Sequence, residues 1–491
     1  MYYPTLEEVK DYGKEGDLVP VYREIVADLE TPVSAFLKVS RGAYSFLLES
    51  VEGGQRLARY SFIGTEPYRV LATKGEDNTD PITHVAEELK KHRLVPVSGL
   101  PRFCGGAVGY LAYETVTRFE RLPSPDSDPL GLPESLFMFV DTMLVFDHVT
   151  HKIKVLSHAC LDRDTEEGYR KAVEKIDKLV GKLSEPLVPS LGTNATSHPV
   201  SGSNLSSNFS REEFEASVTK IKEYITAGEA IQVVLSQRLA QPTNVAPFDV
   251  YRALRTINPS PYMFFFDFGD FHIVGASPEV LVRAEDGVVM TRPLAGTRPR
   301  GNNPAEDAML EQELRNDEKE RAEHIMLVDL GRNDVGRVSE PGTIEVSELM
   351  DVERYSHVMH LVTHVQGKLR SDMTAFDALR ACFPAGTVSG APKIRALEII
   401  AELEPEKRGP YAGAVGYFSF SGNMDMAIAI RTIVMTKGVA YVQAGCGIVY
   451  DSVPEREFQE SMNKARALLK AISQAETQDS TSGESYAATD R

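Results

Sequence analysis

Five apolar runs in the second half of this 491-residue chain read as extended strands: AIQVVLSQRL, FHIVGASPEVLVR, AGAVGYFSF, DMAIAIRTIVMT and VAYVQAGCGIVYDS. They are rich in β-branched and aromatic residues, and several are joined by SGN or KG turns too short for a crossover helix. The pattern therefore implies antiparallel sheets accompanied by helices. No repeat of 20 to 50 residues, no GxGxxG after a strand and no Walker lysine loop is present, so solenoid, Rossmann and P-loop readings drop out.

The sequence divides at a change of composition. Tyr169, Val173, Ile176, Val180 and Leu183 form a helical stripe that closes a first lobe over 1–183. Residues 184–209, rich in Ser, Pro, Gly and Asn, read as a linker. Ser210 and Glu213 form a capping box before the stripe Phe214, Val218, Ile221, Ile225, which opens a second lobe over 210–472. The polar tail 473–491 is expected to be disordered.

Charge limits the partners. Seventy-one acidic against 53 basic residues give a net charge of −18, which repels polyanions, so nucleic acid is not expected. An anionic ligand then needs local cations, helix N-termini or a metal ion. The start, MYYPTLEEVKDYGKEGD, lacks a signal-peptide pattern, and the apolar run FMFVDTMLVF is short and broken by Asp141, so a cytoplasmic protein without a membrane partner is expected. Cys104, Cys160, Cys382 and Cys446 form no CxxC pair and read as ordinary thiols.

Four constellations could carry chemistry. In DEKERAEHIMLVDLGRND (317–334), Glu320 and Glu323 share a helix face as the segment turns apolar all round; a metal site and a capped, acid-rich first turn both fit. In PEREFQESMNKARALLKAI (454–472), Glu457, Glu460 and Lys464 form a stripe beside the core face, equally readable as solvated. In CFPAGTVSGAPKIRALEIIAELE (382–404), a Gly-rich loop enters a helix, and Thr387, Ser389 and Lys393 could reinforce an anion site or a plain turn. In DMAIAIRTIV, Arg431 shares a strand face with Ala427 and Ala429, leaving room for a carboxylate or a buried ion pair; Gly445 and Gly447 end the next strand.

Together with NPSPYMFFF, GASPE, PLAGTRPRG and NKARA, these segments resemble the chorismate-utilising enzymes, and among them the component I branch of the anthranilate synthases; the match is strong over 211–470 and weaker over 20–70. The resemblance implies a two-lobed α+β fold, with large antiparallel β-sheets packed together and helices outside. It implies that Glu320, Glu323, Glu457 and Glu460 surround Mg²⁺, which binds the ring carboxylate of chorismate. Arg431 and Tyr411 would hold the enolpyruvyl carboxylate, with Gly445, Gly447, Lys464, Gly296, Thr297 and Thr387 nearby. Aminodeoxychorismate synthases carry a lysine nucleophile where Ala295 stands, and isochorismate and salicylate synthases use a lysine base where Gln232 stands. Ala295 with Gln232 therefore points to amination at C2 followed by pyruvate elimination, with Glu279 as general acid and His360 tied to the elimination. A 4-amino product, or a noncatalytic chorismate-binding regulatory subunit, are the rival readings. Ammonia would come from a glutamine amidotransferase subunit in a heterotetramer of two chains of each kind. Glu49, Ser50, Pro261, Tyr262 and Met263 resemble a feedback site for tryptophan. Cys446 and Tyr450 depart from the family pattern near the pocket.

Overall fold

The computed structural model describes residues 1–40, 42–51, 59–75, 80–162, 164–187, 205–355 and 358–487, with side chains described to 477. Most of the expected linker, 188–204, lies outside the described residues.

Two antiparallel sheets form the centre. The twelve-stranded sheet includes Leu18–Val26, Lys152–Cys160, Ser45–Glu49, Tyr262–Asp267, Phe271–Ser277, Thr432–Thr436, Val439–Ile448 and Gln232–Pro242. The ten-stranded sheet includes Leu294–Pro299, Val358–Lys368, Val280–Glu285, Met424–Ile428, Ala414–Ser419 and Gly106–Leu111. Each sheet draws strands from both sides of residues 184–209, so the N-terminal and C-terminal stretches are interleaved. Phe46, Met143, Phe264 and Ile273 of the first sheet meet Val108, Met138, Val415 and Ala427 of the second in a shared core. Alternation along Tyr262–Asp267 explains its unbroken apolar run: Phe264 and Phe266 face that core, while Met263 and Phe265 face helices on the other side. Among those helices is Thr165–Ser184, which buries Ile176 and Leu183.

Helix signals read as expected at Ser210, whose side chain caps Arg211–Thr226 reciprocally with Glu213. The tail differs. The helix that begins at Pro454 runs to Ala487, through residues expected to be disordered, because Ile472 and Ala475 continue its buried stripe and Thr243 donates to Glu476 at 2.7 Å. Among the described residues, no helix is long and apolar enough to cross a membrane.

Three of the apolar runs are not single strands. FMFVDTMLVF, FHIVGASPEVLVR and DMAIAIRTIVMT each cross from one sheet to the other, at Asp141, at Pro278–Glu279 and at Ala429–Arg431. Pro278 cannot donate to a ladder, and Arg431 sits at φ 51°, so the backbone turns a corner at each place. The last two corners are joined to one another: Ile428 N–H donates to Glu279 C=O at 3.1 Å, and Ala276 N–H to Arg431 C=O at 3.0 Å.

Candidate active site

Sheet corners place a buried carboxyl and a guanidinium without a carboxylate partner among the described residues. The Glu279 side chain is 4% exposed, and burial pushes its carboxyl up to about 8, against the pull of the Thr387 hydroxyl, which donates to Oε1 at 2.7 Å. No ion pair reaches Glu279 among the described residues, so it holds a proton at neutral pH and can donate one. Arg431 is the converse: it is partly buried, burial lowers its guanidinium from its ordinary value, and among the described residues no carboxylate pairs with it. The expected flat strand face around Arg431 is absent because the chain switches sheets there. A desolvated cation without a protein anion is suited to an anionic ligand. Tyr411, 7% exposed, and His360 lie within its field.

His360 is tied to the strand Leu294–Pro299. Its Nδ1 lies 2.8 Å from the Gly296 carbonyl and 3.1 Å from Thr297 Oγ1. A carbonyl only accepts, so Nδ1 carries the proton and Nε2 keeps its lone pair. Burial holds His360 down to about 4, with Arg431 adding to the effect, so the imidazole is neutral near pH 7. Gly296 makes this contact possible: φ is 69°, and a Cβ would lie 2.9 Å from Leu314 and 3.3 Å from Glu320 Oε2. Ala295, paired with Leu361, begins a bulge that carries Gly296 and Thr297 out of register.

The acidic helix runs from Glu318 to Gly336 and is capped by Asp317, which accepts from the N–H groups of Lys319 and Glu320. It buries His324, Leu327 and Val328 but leaves Ile325 43% exposed, so it is not apolar all round as expected; it packs against the second sheet, mainly on Leu294–Pro299 and Val358–Lys368. Gln232 opens its strand by donating from Nε2 to Glu323 Oε1 at 3.1 Å. A Cβ on Gly447 would lie 2.3 Å from that same Nε2, so the glycine leaves room for the Gln232 side chain. Cys446 points the other way into the core, with Sγ against the Glu457 carbonyl, and Tyr450 is 63% exposed; neither departure from the family pattern shares the side-chain face of Gly445 and Gly447. Lys464 donates to the Gly445 carbonyl at 3.0 Å and pairs with Glu460 at 2.8 Å.

The two glutamate pairs are thus joined through Gln232 and the strand Val439–Ile448, and Lys319 lies close enough to Glu457 to act on its charge. They do not form a closed cage: among the described residues, no three of these carboxylates bring oxygens within 4.8 Å of one another. Burial and the neighbouring carboxylate raise Glu320 and Glu457, and among the described residues neither Glu323 nor Glu457 has a cation in ion-pair contact. Arg298 stands 3.5 Å from Glu320 and Lys464 pairs with Glu460, so among the described residues each pair keeps one carboxylate without such a partner; the donor set, all carboxylate oxygen, fits a hard divalent ion.

The Gly-rich loop is less open than expected. Lys393 is spent on Asp334 at 2.8 Å, Ser389 donates to the Ala385 carbonyl, and only Thr387 turns to the site, through Glu279. Arg408, which nothing in the sequence pattern singled out, organises this region. It is 1% exposed and pairs with Glu404, while donating to the carbonyls of Val388 in the loop and Val234 in the Gln232 strand. Its guanidinium lies over the Tyr113 ring, with the Tyr411 ring 5.8 Å away.

The remaining candidates gather elsewhere. Glu49, Ser50, Pro261, Tyr262 and Met263 all line one cavity of about 990 Å³ between the sheets. Glu49 accepts from Arg255 at 3.0 Å and from Tyr251, and Tyr262 donates to Asp425 at 3.0 Å. Pro278, Val280 and Leu294 belong to the same wall, so the strands that carry Glu279 and Ala295 border this cavity.

Residues 43–470 match the chorismate binding enzyme family. The chain belongs to that family. Anthranilate synthase component 1 of Acetivibrio thermocellus is 50% identical over 490 residues, covering 97% of this chain and 99% of that protein. The crystal structure of anthranilate synthase component I from Streptococcus pneumoniae superposes with a TM-score of 0.76 at 39% identity, over 90% of this chain and 98% of that one. A menaquinone-specific isochorismate synthase from Escherichia coli shares the fold, with a TM-score of 0.70 at 20% identity over 95% of this chain and 98% of that one. The paired antiparallel sheets with outer helices are therefore the family's architecture, and both sheets lie almost wholly inside the matched residues.

Proposed function

We propose that this chain is component I of an anthranilate synthase: it aminates chorismate at C2 with ammonia and eliminates pyruvate, in tryptophan biosynthesis. Full-length similarity to proteins named anthranilate synthase component 1 carries the reading, and the chemistry of the site agrees with it. Ala295 offers no nucleophile and Gln232, an amide spent on Glu323, offers no base, so the attacking group must already be a nucleophile, as ammonia is. Addition at C2 expels the 4-hydroxyl, and Glu279, protonated below about pH 8, gives it the proton that lets it leave as water. The enolpyruvyl group then leaves as pyruvate as the C2 proton is taken up, a role for the free Nε2 of His360. Arg431 and Tyr411 hold the side-chain carboxylate. Mg²⁺ held by Glu320, Glu323, Glu457 and Glu460 would anchor the ring carboxylate as a Lewis acid. A glutaminase partner, component II, supplies ammonia in a two-plus-two heterotetramer in the cytoplasm, and the cavity at Glu49 and Tyr262 takes tryptophan as feedback inhibitor.

The test is direct. Purified chain with chorismate, Mg²⁺ and concentrated ammonium should form fluorescent anthranilate, and Glu323→Gln should remove most of that activity. A 4-amino product would establish the rival amination, and binding without turnover would establish a noncatalytic subunit. Activity unchanged by EDTA would remove the metal from the mechanism.

A further inference from the structure

Far from these residues, at the edge of the twelve-stranded sheet, three chain segments are sewn together. Leu18 pairs with Cys160 in the ladder and bridges to Leu94. Leu161 N–H donates to the Asp17 carbonyl at 2.8 Å, and the N–H groups of Asp17 and Leu18 both reach the Arg93 carbonyl, at 3.1 and 3.2 Å. A Cβ on Gly16 would lie 2.4 Å from that carbonyl, so the strands meet at a distance only glycine permits. On this base sit His92, Cys160 and Asp162, each with a ligand-type atom within 4.8 Å of the other two.

We infer that His92, Cys160 and Asp162 form a binding site for a zinc-class divalent ion. The donor set is one nitrogen, one sulfur and one oxygen, which suits a borderline-soft ion and not Mg²⁺ or Ca²⁺. The arrangement around it is that of a metal histidine: His92 Nδ1 lies 3.2 Å from Asp17 Oδ2, and Asp17 is itself held by the Arg93 N–H. A carboxylate accepting from one ring nitrogen fixes the tautomer and leaves the other with a lone pair for an ion, and the ring brings a nitrogen within 4.8 Å of the Cys160 and Asp162 ligand atoms. Cys160 Sγ lies 3.3 Å from Asp162 Oδ2, to which it donates; both side chains are exposed, and a fourth position is open to water. Binding replaces the thiol proton by the metal, releasing one H⁺ per ion, and the ligand atoms need to close by only about 1 Å to reach tetrahedral contact.

Co²⁺ is the probe, added to the full-length chain with Mg²⁺ in excess so that the glutamates are occupied by a hard ion. The wild type should bind one equivalent with a thiolate-to-cobalt charge-transfer absorption and release a proton. Cys160→Ser should lose the band, and Asp17→Asn should weaken binding by ten- to a hundredfold while keeping it. Zn²⁺ should compete and should raise the thermal midpoint of the wild type but not of Cys160→Ser. Circular dichroism checks that the variants fold. Absence of the band in the wild type overturns the site. A band that survives in Cys160→Ser would come from another thiol, such as Cys446 beside Glu457, and overturns it equally.

Discussion

Replacing Glu279 by Gln should abolish turnover yet make the folded protein more stable, increasingly so as pH rises. Burial holds the Glu279 carboxyl near 8 against an ordinary 4.5. In the unfolded chain it ionises above 4.5, so between that pH and 8 the unfolded state is favoured progressively. The stability Glu279 contributes is thus complete below 4.5 and lost as pH climbs through 8. At about 1.36 kcal/mol per pH unit, the full span is on the order of 5 kcal/mol. Glutamine cannot ionise and does not share this loss. It keeps the Thr387 bond, since an amide oxygen accepts as a carboxyl does, so the difference between the two proteins should be near zero at pH 4.5 to 5 and reach its maximum above pH 8. An unfolding entropy near 2.1 cal/mol/K per residue gives roughly 1 kcal/mol/K for a chain of this size, so the thermal midpoint of Glu279→Gln should exceed that of the wild type by up to about 5 °C at pH 8.5. Scanning calorimetry of both proteins across pH 5 to 9, paired with the ammonium-dependent assay, measures both effects. Parallel midpoints across the range would show that Glu279 ionises normally in the fold, and a general acid working near neutrality would then have to be sought elsewhere.

The other expectations rest on the same contacts. Thr387→Val removes a bond that favours the ionised carboxyl, and at about 1.5–3 kcal/mol for a hydrogen bond to a charge the alkaline limb of kcat/KM should move up by roughly 1–2 pH units; an unmoved limb would detach Thr387 from Glu279. Arg431→Gln should raise KM for chorismate roughly 10- to 100-fold, the loss of one or two charge-assisted bonds, with the thermal midpoint unchanged or higher because among the described residues no protein carboxylate loses a partner; a fall in midpoint with KM unaltered would make Arg431 structural. Arg408→Met strands the buried Glu404 and should destabilise by roughly 3–5 kcal/mol. Adding Glu404→Leu should recover much of that stability in urea unfolding while kcat stays low, and recovery of both would deny Arg408 its hold on the loop and the Gln232 strand.

Local patterns spoke clearly where one element decides the outcome. The capping box at Ser210, the stripe ending at Leu183 and the alternation behind YMFFF all depend on neighbours within a few residues, and each has a definite period. What stayed hidden depends on a second sheet. Glu279 and Arg431 lie inside apolar runs that read as single strands, and only Pro278, a poor ladder residue, hinted that the run breaks. No sequence signal marks Arg431 as left-handed, since arginine is not a residue that seeks positive φ. Lys393 looked free because its partner, Asp334, is 59 positions away. Arg408 has a local partner in Glu404, four residues before it, but its hold on the site runs through the backbones of Val234 and Val388, and a carbonyl has no letter in the sequence. The tail was misjudged from its polarity alone, although Ala475 keeps the helical register of Ile472.

The corners explain how two sheets of largely apolar strands come to hold a protonated carboxyl beside a guanidinium. Most buried sheet positions face either the shared core or an outer helix, and both surroundings are largely apolar; a carboxylate there needs a partner, as Glu49 has in Arg255, or would distort the packing. Where a chain leaves one sheet for the other, the ladder is interrupted, so a side chain can be enclosed by protein while polar groups remain at hand. Glu279 uses this: it is buried enough to keep its proton, and Thr387 from a separate loop completes its bonding. Arg431 sits on the adjoining corner, fixed through its own carbonyl to Ala276, and among the described residues no carboxylate pairs with its guanidinium. Because the corners are hydrogen-bonded to one another, a shift in either strand is felt by both, and Pro278 and Val280, which bracket Glu279, also wall the cavity that holds Glu49 and Tyr262.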